Sequence, residues 1–311
     1  MTKNSQHNQA VLDEIIVGLN SNPPSISPKF FYDEIGSRLF EIITRLDEYY
    51  PTRTEAKIMQ QYRQEIASAV GPCEVLLDLG AGNCQKASEL FDALKPEAYR
   101  ALDISKEFLE SAVADLQKHF PHIEMSAHEF DLNHKLEFPD LANRRKTFFY
   151  PGSSIGNFKP AQALALFKNM VEVCAGGGGL LIGVDLIKDV KVLEKAYNDS
   201  LGVTAAFNLN ALLHLNHLIQ SNFVLDHWRH YAQFNEVDSR IEMYLESTQD
   251  QLIKWPGGER RFVSGELIHT ENSYKYSQES FKKLLTEAGF KNIHLWTDDQ
   301  QHFLVCYASA G

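Results

Sequence analysis

Two glycines and two acids are the residues of this chain best placed to do chemistry. Gly80 and Gly82 lie in LLDLGAGNCQKASEL, residues 76–90, where four strand-like residues around one acid run through a Gly-x-Gly turn into helical sequence. Such a turn lets a ligand approach the backbone closely and meet exposed N–H groups. A dinucleotide site needs G-x-G-x-x-G, the third glycine allowing close helix–strand packing with the pyrophosphate on the helix end. Gln85 holds that third position, which weakens the NAD reading. A helix end that meets no pyrophosphate tolerates bulkier residues, and S-adenosylmethionine carries no phosphate. Asp103, closing the next strand, is placed to accept from ribose hydroxyls of either cofactor. Asp131, closing the third, is placed to bond an adenine amino group. Gly-x-Gly, acid, acid on successive strand ends is the arrangement expected of an S-adenosylmethionine-dependent methyltransferase. On pattern alone, NAD-type binding and a turn that binds nothing stay open.

The elements that position these residues follow from the hydrophobic pattern. CEVLLDLG, YRALDIS, IEMSAHEFDL, TFFYPGSS and GGLLIGVDLI read as short apolar strands. Helix-length segments lie between most of them: CQKASELFDALK, KEFLESAVADLQKHF and PAQALALFKNMVEVC. Strand–helix alternation predicts right-handed crossovers and a mostly parallel sheet covered on both faces. The alternation stops after about residue 188, where KVLEKAYNDS, TAAFNLNALLHLNHLI, HWRHYAQFN, RIEMYLEST and GELIHTENSYKY suggest an inserted α+β piece. The end returns to the first style with helix SQESFKKLLTEAGF and strands NIHLWTD and HFLVCYAS, a hairpin expected to bring one antiparallel strand at or near the sheet edge. The first fifty residues read as helical, broken at SNPPSISPKF. The expected organisation is a Rossmann-like α/β core from 53–187 and 276–311, with a second domain from 1–52 and 188–275.

Bulk properties exclude some partners. The 311 residues are 44% hydrophobic and carry a formal net charge of -11, a sign that repels phosphate backbones and anionic lipid. Nucleic-acid and membrane partners are therefore not expected. Cys73, Cys84, Cys174 and Cys306 have no paired spacing and read as reduced, mostly buried thiols. The polar start MTKNSQHNQA lacks an apolar signal core, and a cytoplasmic, monomeric protein is expected.

Longer motifs carry a family resemblance. KFFYDEIGSRLFEIITRLDEYYPTRTEA at 29–56, YPGSSIGNF at 150–158, GVTAAFN at 202–208, RIEMYLE at 240–246 and HTENSYKY at 269–276 closely resemble the histidine Nα-methyltransferases of ergothioneine biosynthesis. The resemblance runs from about residue 25 to the end. It implies a Rossmann-like class I methyltransferase core with a second α+β substrate-binding domain. It also implies three methyl transfers from S-adenosylmethionine to the α-amino group of L-histidine, yielding hercynine and S-adenosylhomocysteine. Carried over position by position, Gly80, Lys86, Asp103, Asp131 and Leu132 are the cofactor contacts, with Lys86 facing the methionine carboxylate. Tyr49, Asn157, Tyr197, Met243, Glu271 and Ser273 form the substrate pocket. Glu271 and Ser273, two apart on a strand and so on one face, hold the imidazole, with Met243 packed nearby. The alternative substrate is another aromatic or imidazole-bearing amino acid such as tryptophan. Relatives often carry a small hydroxyl residue where this chain has Cys84.

Methyl transfer from a sulfonium requires amine lone pair, methyl and sulfur in line at roughly 3 Å contact. The amine must first lose a proton, and Tyr32 in FYDEIG is the candidate acceptor, directly or through water. Each methyl removes an N–H donor, so tyrosine faces that attract a methylated cation suit all three rounds. His214-x-x-His217 and His227-x-x-His230 have ligand-like spacing but no accompanying carboxylate or cysteine cluster, and no metal is expected. AGGGG at 175–179 lacks the Lys-Ser/Thr of a P-loop and reads as a loop into the next strand. Ser153 and Ser154 lack the G-x-S-x-G frame and read as capping the loop that delivers Asn157.

Overall fold

The computed structural model describes residues 3–132, 134–174 and 177–311. Ala175 and Gly176, in the expected AGGGG loop, lie outside the described residues. In chain order come helices α1 (Lys3–Asn20), α2 (Glu34–Ile43), α3 (Tyr50–Gln61) and α4 (Arg63–Val70). There follow β1 (Val75–Leu79), α5 (Gln85–Ser88), α6 (Phe91–Leu94), β2 (Ala98–Asp103), α7 (Lys106–His119) and β3 (Glu124–Glu129). Next are β4 (Lys146–Tyr150), α8 (Pro160–Val173), β5 (Gly178–Asp185), α9 (Val190–Tyr197) and α10 (Val203–Ile219). Strands β6 (Trp228–Asn235), β7 (Arg240–Ser247), β8 (Gln251–Trp255), β9 (Gly258–Phe262) and β10 (Leu267–Tyr274) precede α11 (Gln278–Ala288), β11 (Lys291–Thr297) and β12 (Phe303–Ser309).

The chain divides into two units. One is Met1–Tyr49 with Asp189–Asn272, the other Tyr50–Lys188 with Ser273–Gly311. Tyr50–Thr52, Lys188 and Ser273–Lys275 therefore group with the sheet unit, a few residues outside the range read from sequence.

The larger unit is built on a seven-stranded sheet of order β11-β12-β5-β4-β1-β2-β3. Strands β3, β2, β1, β4 and β5 pair in parallel, while β12 runs antiparallel to both β5 and β11. The antiparallel strand is thus second from the edge, which the closing hairpin predicts. Every residue of β1, β4 and β5 is buried, as expected for strands covered on both faces. The period of two divides them between two cores. Val75, Leu77 and Leu79 join Phe148, Tyr150, Leu180 and Ile182 on one face, while Leu76 joins Phe149, Leu181 and Tyr307 on the other. Helix α8 covers the first face with Ala163, Leu166, Phe167 and Met170, an i, i+3, i+4, i+7 stripe. Strand β3 is largely polar and exposed, as an edge allows. The four cysteines are free and buried.

The segment read as one helix over 84–95 is two. Leu90 N–H bonds the carbonyl of Ala87, three residues back, and this tightened turn separates α5 from α6. The burial of Ala87, Leu90, Phe91 and Leu94 keeps helical spacing, so the break is invisible in the apolar pattern.

The smaller unit packs α1 and α10 with a three-stranded sheet, β10-β7-β6, and the hairpin β8–β9. Its core includes Ile15, Leu19, Phe30, Leu212, Leu215, Trp228 and Phe262. The hairpin turns at Pro256-Gly257, where Gly257 takes φ +86°. Among the described residues no helix is long and apolar enough to cross a membrane, and no group of His, Cys, Asp and Glu could hold a metal ion.

Candidate active site

In the larger unit the residues expected to hold the cofactor follow the C-terminal ends of β1, β2 and β3. The sheet order reverses between β1 and β4, the switch point where open α/β sheets bind ligands. Gly80 and Gly82 take φ of +69° and +52°, a region that favours glycine. A Cβ built on either would meet nothing within 4 Å, so the turn presents bare backbone to open space. The N–H groups of Gly80 and Ala81 bond the Leu102 carbonyl at 2.8 and 3.2 Å, tying the turn to β2. The Asp103 carboxylate accepts from Gly82 N–H at 2.9 Å and Ser105 N–H at 3.0 Å. A carboxylate has about four lone-pair positions, so Asp103 retains capacity for two hydroxyls. Asp131 and Leu132 follow β3, and Phe130 N–H bonds the Asp103 carbonyl at 2.9 Å, which sets the start of that loop beside the end of β2.

Beneath the turn lies a buried polar pair. Tyr99 donates to Asp78 Oδ2 at 2.7 Å. Burial pushes the Asp78 carboxyl up to about 7, with the Tyr99 hydrogen bond opposing.

Lys86, on α5, is bonded to Glu55 Oε2 at 2.6 Å. Asn157 ends a 3-10 turn, Ser154–Asn157, after β4. A Cβ on Gly156 would lie 2.9 Å from the Tyr274 carbonyl and 3.4 Å from Ser273 Oγ. Glycine there lets the turn carrying Asn157 lie against the strand end carrying Ser273. Ser153, at the N-cap of the Ser154–Asn157 turn, makes no side-chain cap to it. Ser153 instead accepts from Asp185 N–H at 2.9 Å, and Ser154 donates to the Pro151 carbonyl at 3.3 Å.

Ser273 is buried, and its hydroxyl accepts from Lys275 Nζ at 2.8 Å. Lys275 pairs with Asp185 at 2.8 Å, and Lys188 pairs with the same carboxylate at 2.6 Å. Tyr50 donates to Asp185 at 2.8 Å and accepts from Lys188 at 2.6 Å. Burial opposes ionisation of Asp185, but Lys275 and Lys188 outweigh it and hold the carboxyl below its ordinary range. Burial brings the Lys188 ammonium down to about 8 against the pull of Asp185.

In the smaller unit three expected residues join one aromatic array. Tyr32 meets Phe40 and Phe207 edge-on at centroid distances of 5.8 and 5.6 Å. Phe40 meets Tyr49 at 6.3 Å, and Tyr49 meets Tyr197 at 6.4 Å. The FYDEIG motif builds this locally. Asp33 caps α2 through Gly36 N–H at 2.7 Å and accepts from Asn210 on α10 at 2.7 Å. Gly36 passes so close to the Phe31 carbonyl that a Cβ would lie 1.7 Å from it. Tyr197 is fixed from behind, its carbonyl meeting His230 Nε2 at 2.8 Å while Asn208 meets His230 Nδ1 at 2.9 Å. Both ring nitrogens are thus engaged in structure. Burial lowers the His230 pKa against the pull of the Tyr197 carbonyl, and this favours the neutral ring. Met243 is buried on β7, the strand beside the β10 segment that carries Glu271.

The sequence that builds this geometry matches known proteins over nearly its whole length. A match to the family described as histidine-specific methyltransferase, SAM-dependent, runs over residues 11–310. The chain belongs to that family. The histidine N-alpha-methyltransferase of Mycolicibacterium smegmatis is 37% identical over 302 residues, 95% of this chain and 93% of that protein. Ergothioneine biosynthesis protein 1 of Neurospora crassa is 33% identical over 291 residues, 91% of this chain but 33% of that longer protein. A solved structure from Bordetella parapertussis, described as a possible exported protein, has a TM-score of 0.51 at 11% identity and covers 99% of each chain, a likeness of fold alone.

The sheet unit is a class I methyltransferase core, and its turn fits S-adenosylmethionine. The backbone at Gly80 and Gly82 is open enough that a nucleoside would fit there, Asp103 has free acceptor capacity toward it, and the Lys86 charge is balanced by Glu55, which suits a group without phosphate. Tyr50, Glu55, Asp185, Lys188 and Lys275 are absent from the sequence-based site. A signal exists for two of them. Asp185 closes an apolar strand as Asp103 does, and Lys275 shares the period-two face of Glu271 and Ser273.

Proposed function

We propose that this methyltransferase carries out three successive methylations of the α-amino group of L-histidine, producing hercynine for ergothioneine biosynthesis, in the cytoplasm and as a monomer. The family match across residues 11–310 carries the reading. When bound, S-adenosylmethionine supplies the methyl group and the sulfonium charge, held by Gly80, Lys86, Asp103, Asp131 and Leu132. Asn157 and Tyr197 orient the amino-acid head group. Glu271 accepts an imidazole N–H, Ser273 donates to the other ring nitrogen, and Met243 backs the ring. Tyr32 takes the α-ammonium proton, directly or through water, which exposes the amine lone pair.

Support for repeated transfer comes from the array of Tyr32, Tyr49 and Tyr197. Ring faces attract a methylated ammonium without needing its N–H groups, at about 0.5–2 kcal/mol per contact. Fixed acceptors alone would lose their partners as methyls accumulate.

Incubation of the purified protein with S-adenosylmethionine and each of the common amino acids, followed by mass spectrometry, tests the reading. Trimethylated histidine is the expected product. Methyl transfer to tryptophan in preference to histidine, or none to either, would overturn it.

A further inference from the structure

Glu55 is an acid with 1% of its side chain exposed, on a helix the cofactor motifs do not include. Its two oxygens reach different loops. Oε2 pairs with Lys86 Nζ at 2.6 Å, just after β1, and Oε1 accepts from Gly152 N–H at 2.8 Å, just after β4. These are the loops on either side of the switch point. The backbone is shaped to admit the carboxylate. A Cβ on Gly183 of β5 would lie 1.8 Å from Glu55 Oε1, so only glycine leaves room there. Gly152 takes φ +79°, and a Cβ on it would lie 3.2 Å from Lys86 Nζ.

We infer that Glu55 is the positioning residue of the subsite for the cofactor's methionine end. Lys86 is a long side chain, 34% exposed, with rotamer freedom that Glu55 removes. Anchored on a buried acid, the ammonium stands at the mouth of the crevice with its remaining donors directed to an α-carboxylate. The Glu55 charge also offsets that of Lys86, so the subsite suits a zwitterionic amino acid better than a polyanion such as pyrophosphate. The inference rests on reading Lys86 as the carboxylate's partner.

The test compares two ligands by titration calorimetry. S-adenosylhomocysteine carries the amino-acid end, and 5′-methylthioadenosine shares the adenosine and thioether but lacks it. Glu55→Gln, which keeps shape but removes charge, should weaken S-adenosylhomocysteine by about 10–100-fold and leave 5′-methylthioadenosine within about 2-fold. Glu55→Asp, which keeps the charge but withdraws it, provides a second variant with the same selective loss. Lys86→Met should match Glu55→Gln, and the double variant should lose little more than either, since both substitutions remove one coupled unit. Equal weakening of both ligands would reduce Glu55 to a structural role and overturn the inference. So would additive losses, or a loss in Lys86→Met with none in either Glu55 variant. Unchanged S-adenosylhomocysteine affinity in Lys86→Met would remove the underlying reading of Lys86 as well.

Discussion

Lys275 donates to the hydroxyl of Ser273 at 2.8 Å while paired with Asp185 at the same distance. A hydroxyl whose lone pair receives an ammonium proton is set to act as a donor itself. An imidazole nitrogen bearing a lone pair is the matching acceptor. Ser273→Ala should raise KM for L-histidine about 10-fold and leave KM for S-adenosylmethionine unchanged, measured by steady-state kinetics. An unchanged histidine KM would remove Ser273 from the pocket.

Glu271 should decide ring identity. Glu271→Ala is expected to lower kcat/KM for histidine about 100-fold, a steep loss typical of a removed charged acceptor, without lowering that for tryptophan. Competition between the two amino acids, read by mass spectrometry, measures the ratio. Equal losses for both substrates would argue against imidazole recognition.

Tyr49 should matter most in the later rounds. Loss of one cation–π contact costs about 0.5–2 kcal/mol, or about 2- to 30-fold in rate. Tyr49→Ala is therefore expected to accumulate mono- and dimethylhistidine in single-turnover time courses. A variant that matches the parent at each step would defeat the idea.

Asp78 should make stability fall with rising pH. A carboxyl whose folded pKa lies above its unfolded value binds its proton preferentially when folded. Its contribution is complete below about pH 4 and lost as pH rises through about 7, up to about 4 kcal/mol. Asp78→Asn keeps the Tyr99 hydrogen bond acceptor and should flatten this dependence, seen as a Tm difference that grows from pH 5 to pH 8. Parallel Tm profiles would count against it.

Gly36 should tolerate no side chain. Gly36→Ala places a Cβ where the Phe31 carbonyl stands and should destabilise by about 3 kcal/mol. Denaturant midpoints would report the loss, and an unchanged midpoint would contradict the close approach.

The sheet was legible in the sequence because β1, β4 and β5 are short, mainly apolar runs separated by helix-length segments. The closing hairpin was equally plain from its two strands around one turn. The break between α5 and α6 was hidden because it leaves the burial spacing intact. The β8–β9 hairpin was passed over even though Pro256-Gly257 is a turn signal, because its strands are short and charged. Among the candidate site residues, Gly80 and Asp103 announce themselves through backbone freedom and position at strand ends. Glu55 does not, because its partners Lys86 and Gly152 are distant in the chain and an acid within a helical stretch reads as solvated surface. Lys188 does not, because a lysine in a loop reads the same way until the burial of its neighbour Asp185 is known.

The thiols have a consequence for handling the enzyme. All four are buried, and burial pushes Cys73 up to about 11 and Cys84 and Cys174 to about 12, with Cys306 higher still. A thiolate is the species that alkylates and oxidises, so the native protein should resist peroxide and iodoacetamide without added reductant. Any labelling then reports opening of the sheet unit, which gives the protein a built-in clock for its own unraveling.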